Sequence, residues 1–200
     1  MRALSICLMV FMAAAAVFAD KKGDAKFSPG PASSYSTKQT NDKVTVAVAA
    51  YDTEELAHTA FGKLDPNQYG VLPVLVIIQN DTDQALKLDH LQVEYTNVNG
   101  RHLDATPADE IQSLGGAERP PPIRTSPLPI PRRQHKNPLN TLEIEGRSFS
   151  AKMVPAHEAA SGFFYFQTTH RPGSTLYLTG MKQASTGQDI LFFEISLDKK

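Results

Sequence analysis

The stretch that decides the fold is Gly70–Val71–Leu72–Pro73–Val74–Leu75–Val76–Ile77–Ile78–Gln79–Asn80. In an extended strand, successive side chains point to opposite faces, and both faces of this strand are apolar. Most of its residues are also β-branched, which favours a strand. The pattern therefore predicts a central strand that is covered on both faces.

A second strand is predicted after a turn. The segment Asn80–Asp81–Thr82–Asp83 consists of turn-forming residues. The chain then continues through Leu91, Val93 and Tyr95, which alternate with polar residues. This alternation is typical of a half-buried strand, which we expect to be the partner of the central strand and to keep one face in water. Together the two strands indicate a β-sandwich.

The first nineteen residues have the pattern of a signal peptide. Arg2 supplies a positive start, residues 4–18 are almost entirely apolar, and Val17–Phe18–Ala19 fits a small-residue cleavage site. We therefore expect an exported protein, periplasmic or extracellular, that starts at Asp20 and has no membrane span after cleavage. The alternative is an uncleaved N-terminal anchor, for which the apolar run is short, because a span needs about 20 residues.

Composition excludes several classes of function. The chain has 200 residues, a formal net charge of −1 and one cysteine, Cys7, which lies inside the predicted signal. A mature chain without a thiol has no disulfide, no thiolate nucleophile and no cysteine ligand for zinc. The near-neutral charge gives no global argument for binding to nucleic acid or to an anionic membrane surface.

One domain is expected to follow a flexible tether. Residues 20–42 are rich in Lys, Gly, Pro and Ser and lack periodicity, so they form the predicted tether. The domain occupies residues 43–200 and begins with a strand at 44–51. Two short helices are expected after the capping residues Asp52 and Thr106.

The most unusual segment is a proline-rich, cationic insertion at residues 115–140. Its seven prolines exclude a central strand or the interior of a helix. Its local net charge is +4, because Glu118 accompanies five basic residues: Arg119, Arg124, Arg132, Arg133 and Lys136. We expect an extended, polyproline-like segment whose basic residues are candidate contacts for a partner. A solvated linker is the simpler alternative.

The C-terminal part of the sequence again has strand patterns. Leu142 and Ile144 alternate with Glu143 and Glu145, which predicts a strand, although a helical turn is also compatible with this segment. Apolar and aromatic runs predict the remaining strands, at residues 149–153, 162–167, 175–179 and 189–195, the last after a hairpin turn at 184–187.

Two motifs resemble a pattern found in secreted bacterial immunoglobulin-like (telokin-like) domains of unknown function. In the run from Met153 to Phe166, a strand ends in Pro155, a polar link follows, and Ser161–Gly162 opens an aromatic strand. The second motif is the hydrophobic strand closed by Asn80–Asp81–Thr82. The resemblance implies an all-β fold with two short helices: an immunoglobulin-like β-sandwich of about seven strands. It implies no catalytic residues.

Candidate metal ligands occur in pairs along the sequence. The pairs are His102 with Asp104, Glu54 with His58, Asp89 with His90, Asp81 with Asp83, and Asp65 with Asn67, the last being a fragment of a calcium loop. A zinc site needs three or four protein ligands, and the calcium fragment lacks its bidentate glutamate. We therefore expect no metal or cofactor, and we expect these residues to lie in turns and on the surface.

These features favour a non-enzymatic, exported protein that binds another protein or a component of the cell envelope, with no nucleic-acid partner. A small-ligand or carbohydrate-binding module is the alternative. Such modules usually present exposed aromatic rings, whereas this chain has no Trp and most of its Phe residues fit core positions. A hydrolase with an unrecognised site is the third class, but the Gly-x-Ser-x-Gly motif does not occur in the sequence.

Overall fold

A computed structural model describes residues 27–114, 138–139, 142–190 and 192–198. The predicted signal, the start of the predicted tether and most of the insertion lie outside the described residues. The strands are β1 Lys38–Asn41, β2 Val44–Ala50, β3 Leu72–Asn80, β4 Leu86–Lys87, β5 Gln92–Thr96, β6 His102–Asp104, β7 Met153–Val154, β8 Ala159–Phe166, β9 Thr175–Thr179, β10 Lys182–Gln183 and β11 Phe193–Ser196. The helices are α1 Glu54–Phe61, α2 Ala108–Leu114 and α3 Leu142–Arg147, with 3₁₀ turns at Ala32–Ser34 and Pro66–Tyr69. Within these residues no helix is long and apolar enough to cross a membrane.

The described part of the chain is mainly β, with eleven strands in three antiparallel sheets. The first sheet has the order β1-β2-β3-β8, the second has the order β11-β9-β5-β6, and a small third sheet has the order β10-β4-β7. Apolar side chains of the first and second sheets share one core, in which Val76, Tyr95 and Phe166 are buried. The two large sheets therefore pack face to face.

The predicted central strand is confirmed. β3 lies between β2 and β8, and its residues from Leu72 to Ile78 are buried. One face of β3 packs towards the second sheet, while Leu75 and Ile77 on the other face pack in a layer that receives buried residues from all three helices: Ala60, Phe61, Ile111 and Ile144. Both faces of the strand are apolar because each face is covered by a different layer.

The predicted partner of the central strand is wrong. The strand that contains Val93 and Tyr95 is β5, which lies between β9 and β6 in the second sheet. Alternation of apolar and polar residues predicts correctly that one face is buried, but it does not specify which strand lies alongside. β3 and β5 therefore meet through side chains in the shared core and not through main-chain hydrogen bonds.

The predicted flexible tether is wrong from Phe27 onward. The ring centroid of Phe27 lies 5.5 Å from that of Phe163, and Ala32 is buried in the same layer. β1 then pairs with β2 in antiparallel register. This segment is ordered because its few apolar residues enter the layer beneath the helices and its polar residues add a strand to the first sheet.

Two further predictions are corrected, and a third is not confirmed. The cap of α1 is Thr53, whose Oγ1 accepts a hydrogen bond from the Leu56 N–H (3.4 Å), and not Asp52. Leu142 and Ile144 lie in helix α3 and not in a strand; Ile144 is buried while Leu142 is exposed. The immunoglobulin-like sandwich of about seven strands is not confirmed, because the described residues form eleven strands in three sheets with an added layer of helices.

One side of the pair of large sheets is closed by side-chain amides. The edge strands β1 and β11 meet there: the Asn41 amide donates to the Phe192 carbonyl (3.0 Å), and Gln39 Oε1 accepts from the Glu194 N–H (3.0 Å). An edge strand otherwise presents such backbone groups to solvent and to other chains. The edge of β11 is therefore capped by the neighbouring sheet.

A buried polar side chain holds the end of the central strand. Asn80 is fully buried; its Nδ2 donates to the carbonyls of Gln84 and Pro155 (2.8 Å each). Its Oδ1 accepts from the N–H (3.1 Å) and the hydroxyl (2.6 Å) of Thr82. The turn predicted after the central strand is confirmed, and this one amide ties it to the end of β7.

The buried ring of Tyr51 makes stability depend on pH in alkaline solution. Burial, and to a smaller extent the charge of ionised Tyr35, raises the pKa of Tyr51 to about 12. An unfolded chain releases the phenol proton near pH 10, about two units earlier. The folded state therefore loses stability as the pH rises from about 10 to about 12, because the unfolded state binds fewer protons in this window.

We expect the Tyr51→Phe variant to lose less stability than the parent across this window, because its ring has no proton to release. The measurement is urea unfolding of both proteins below pH 10 and near pH 11. The variant should keep part of the pH dependence, because burial also raises the pKa of Tyr165. Identical losses of stability in the two proteins would rule out Tyr51 as a source of the pH dependence.

Candidate functional site

A cleft opens on the side of the molecule opposite the closed edge. β6 and β8 approach each other just beyond the end of β6, where the Thr106 N–H donates to the Tyr165 carbonyl (2.7 Å). From this contact the two strands separate around a cleft of about 560 Å³. Residues of β5 and β6 line one wall, and β8 with Ser148 and Phe149 lines the other. The start of α2 also contributes to the lining.

The second wall carries an aromatic pair that depends on a glycine. The rings of Phe149 and Phe164 stack at a centroid distance of 5.2 Å with 20° between their planes, and both are partly buried. The Phe149 N–H donates to the Phe163 carbonyl (2.9 Å), which holds this segment against β8. A Cβ at Gly162 would lie 2.4 Å from the Cα of Phe149. Only glycine allows the two backbones to approach so closely.

Two carboxylates form the rim of the cleft. Glu94 on β5 and Asp104 on β6 lie directly opposite each other and line the cleft. The adjacent hydrogen bond, from the Ala105 N–H to the Val93 carbonyl (3.2 Å), identifies Glu94 and Asp104 as a pair without main-chain bonds. Side chains lie closest in such pairs, and like charges there repel. A cation at the rim would relieve this repulsion.

His102 extends the polar rim. Its Nδ1 lies 3.3 Å from Glu94 Oε2 and 3.1 Å from Thr96 Oγ1. The side chain of His102 is 63% exposed and that of Glu94 is 32% exposed. Exposed groups can attract a charged ligand, whereas catalysis by charged groups is strongest where water is excluded. The rim is therefore better suited to recognition than to acid–base chemistry.

The binding residues predicted from the sequence are not among the residues that the structure describes. The five basic residues of the insertion lie outside the described residues: Arg119, Arg124, Arg132, Arg133 and Lys136. The described part of the insertion is Pro138 and Leu139, of which Leu139 is buried in the layer beneath the helices. The predicted role of the cationic segment stays a prediction.

The candidate metal ligands remain pairs. His102 and Asp104 share one face of β6, as predicted, and His58 Nε2 lies 3.9 Å from Glu54 Oε1 on α1. Across residues 27–114, 138–139, 142–190 and 192–198, no three His, Cys, Asp or Glu side chains are grouped so as to hold a metal ion. The pairs on β6 and α1 are surface polar residues.

The fragment of a calcium loop is a turn, as the sequence predicts. Asp65 Oδ1 accepts hydrogen bonds from the main-chain N–H (3.0 Å) and the side-chain amide (2.9 Å) of Asn67, and it caps the 3₁₀ turn at Pro66–Tyr69. The Asn67 amide also lies 2.9 Å from the Tyr51 carbonyl. Both polar side chains are therefore used to fold the chain back towards the central strand.

One polar cluster was not predicted from the sequence. His170 Nε2 lies 3.4 Å from Asp198 Oδ1 and 4.0 Å from Asp52 Oδ2, and its side chain is only 13% exposed. Asp198 Oδ2 also accepts from the Gly173 N–H (2.7 Å). The three ionisable residues follow β2, β8 and β11, so the cluster fastens three chain segments together. No short spacing in the sequence links these residues.

The aromatic wall was also missed, although the sequence holds a signal for it. Gly162 directly precedes the aromatic run of this strand, and a glycine inside a strand often marks the close approach of another backbone. The carboxylate rim follows from the tight turn at Asn97–Gly100, a sequence rich in turn-forming residues, because the register of this hairpin places Glu94 opposite Asp104. Neither signal indicates that the segment around Phe149 forms the second wall, because this segment comes from a different part of the chain.

The fold and the cleft define a mainly β domain with an open aromatic and acidic groove. No protein-family model matches the chain, and a search of the curated proteins finds no match. Among solved structures, the chain is similar to the "X-ray structure of Northeast Structural Genomics Consortium target SoR45". The identity is 13%, the match covers 79% of this chain and 89% of that chain, and the TM-score is 0.36. This distant likeness assigns no family.

Proposed function

We propose that this chain is a non-enzymatic domain that binds another protein, or a component of the cell envelope, in the cleft between β6 and β8. The observation that carries the proposal is the stacked pair of Phe149 and Phe164, partly exposed in an open cleft beside a carboxylate rim. Aromatic side chains surrounded by polar groups are the usual anatomy of a protein-binding hot spot. A partner that covers these rings removes apolar surface from water, which favours association.

The proposal includes three further parts. An immunoglobulin-like sandwich is supported by the two facing antiparallel sheets and by the motifs at Asn80–Thr82 and Ser161–Gly162. Export is supported by the apolar N-terminal run that ends in Val17–Phe18–Ala19. The basic residues of the insertion at 115–140 are proposed as a second contact, for an anionic surface.

The test is capture from the native envelope fraction by immobilised protein, with each captured species quantified by mass spectrometry. We expect Phe149→Ala to lose the specifically captured species, because it removes one ring of the stacked pair. Phe192→Ala is the matched control, because Phe192 is an aromatic residue that is 50% exposed and does not line the cleft. Thermal melts establish beforehand that both variants are folded. Equal capture by the parent and both variants would contradict binding in the cleft.

A small-ligand or carbohydrate-binding function is the second candidate, and one observation favours it. Tyr177 and Phe192 form an aromatic pair with centroids 5.4 Å apart beside the outer face of the second sheet. The exposure of Phe192 departs from the expectation that Phe residues occupy the core. A rigid, exposed aromatic surface can stack on the apolar face of a sugar. Polysaccharide binding that is lost in Phe192→Ala and kept in Phe149→Ala would favour this candidate.

A further inference from the structure

We infer that the cleft recognises an extended segment of its partner, which pairs with the free edge of β6 and places basic side chains beside Glu94 and Asp104. This inference rests on the proposed function and adds the mode of recognition and the charge of the ligand. It is carried by three observations: the unpaired edge of β6, the closure of the opposite edge, and the alternation of polar and apolar surfaces along the cleft.

Among the described residues, one side of the β6 backbone has no partner strand. The Arg101 carbonyl accepts from the Asn97 N–H (3.1 Å), and the Ala105 N–H donates to Val93, so these positions bond towards β5. Because main-chain groups alternate along a strand, those of His102, Asp104 and Thr106 point away from β5.

The Thr106 N–H donates to the Tyr165 carbonyl of β8, and Asp104, the next outward position along β6, lines the cleft. β6 is the last strand of its sheet. Among the described residues, the main-chain groups of His102 and Asp104 have no main-chain partner.

The edge of β6 differs from the edge of the same sheet on the opposite side of the molecule, which is capped. There the Gln39 and Asn41 side chains occupy the outward groups of the last strand, β11. Such capping prevents other chains from pairing with an edge. Between β6 and β8 the sheets diverge and leave room for a segment, while at β11 the edge is occupied. An extended peptide therefore has one accommodating edge in the second sheet, and it borders the cleft.

The surfaces around β6 specify the side chains of the segment. In an added strand, residues opposite His102 and Asp104 share their face, where the carboxylate of Glu94 also lies. A Lys or Arg at these positions meets two carboxylates. Residues opposite Leu103 point towards the core side, where Leu103, Phe149 and Phe164 are each partly buried against the shared core. The expected ligand alternates basic and apolar residues, and strand addition is an established mode of peptide recognition.

The probe is the peptide acetyl-Lys-Val-Lys-Val-Lys-amide, titrated into ¹⁵N-labelled protein while the amide signals are followed by NMR. We expect saturable shifts at His102 and Asp104 that weaken as salt is raised. Two analogues carry N-methyl groups on alternate residues, and the one that blocks the pairing N–H groups should bind about tenfold more weakly. The analogue with Glu in place of Lys should also bind about tenfold more weakly.

Two variants of one residue test the backbone edge directly. His102→Pro removes the N–H that points away from β5 but leaves the bonds to β5, and proline is tolerated at such edge positions. His102→Ala keeps the N–H and removes only the imidazole. We expect the proline variant to bind the peptide more weakly than the alanine variant, because both lack the imidazole and only the proline variant lacks the N–H. If the proline variant does not fold, the N-methylated peptides on the parent protein decide the question.

The inference is overturned if no peptide binds, if both N-methylated peptides bind as the parent peptide does, or if both His102 variants bind equally. The proposed function fails separately, when envelope capture is insensitive to Phe149→Ala. Capture that depends on Phe149 without any peptide binding would leave the cleft as a binding site and reject strand addition.

Discussion

The Asn80→Ala variant is expected to have a free energy of unfolding lower by about 3–5 kcal/mol, which is in the exceptional range for one substitution. The Asn80 amide is fully buried and satisfies the carbonyls of Gln84 and Pro155 and the N–H and hydroxyl of Thr82. Alanine removes these four hydrogen bonds; the Thr82 hydroxyl keeps its bond to the Gln84 carbonyl (2.8 Å), and each buried group left without a partner costs about 1–3 kcal/mol. Urea unfolding monitored by circular dichroism measures the effect.

Asn97→Ala is the matched control. Asn97 also organises a turn, since its Oδ1 accepts from the N–H groups of Asn99 (2.9 Å) and Arg101 (3.0 Å). These bonds are exposed, so water replaces the missing side chain and the expected loss is about 1 kcal/mol or less. Similar losses of unfolding free energy in the two variants would show that burial of the Asn80 amide does not increase its contribution to stability.

The second large effect is expected from Gly162→Ala, which should lower the free energy of unfolding by about 3 kcal/mol. The added methyl would lie 2.4 Å from the Cα and 2.7 Å from the N of Phe149, and backbone atoms cannot move aside as a flexible side chain can. The Phe149 segment must then leave β8, which also breaks the stacked pair. We expect the variant to lose both stability and binding in the cleft.

Gly146→Ala separates this steric effect from the general effect of replacing glycine. Gly146 lies in α3, and a Cβ there meets no atom within 4 Å. Alanine is the better helix former, so this variant should be equal to the parent or more stable by up to about 1 kcal/mol. A Gly162→Ala protein as stable as Gly146→Ala would mean that the close approach of Phe149 is readily relieved.

Sequence patterns predict the central strand well because its physical cause is local. Every residue from Leu72 to Ile78 is apolar, and an apolar run of this kind must be covered on both faces wherever its neighbours come from. The hairpin at Asn97–Gly100 is equally local, since it depends on turn residues and on adjacent strands. The turn after Asn80 is also determined by local turn-forming residues.

Other elements are set by contacts that sequence patterns do not record. β1 consists of Lys38, Gln39, Thr40 and Asn41, so it has no apolar pattern, and it is a strand because β2 and β11 provide its partners. The four residues from Leu142 onward fit a helix as well as a strand. A strand would place Leu142 and Ile144 on the same face, whereas in α3 Ile144 is buried and Leu142 is exposed. The cleft requires the approach of Phe149 to β8, for which the sequence offers one indication, Gly162.

The amide contacts between β1 and β11 have a consequence for the folding reaction. Asn41 bonds to a residue 151 positions away, and Gln39 to one 155 positions away. Such remote pairings contribute to a high contact order, and contacts of this kind form slowly because a long loop must close first. During synthesis the N-terminal strand has to wait for the last residues of the chain to emerge. The contacts between β1 and β11 should therefore be among the last to form, leaving the edge of β11 transiently open to other chains.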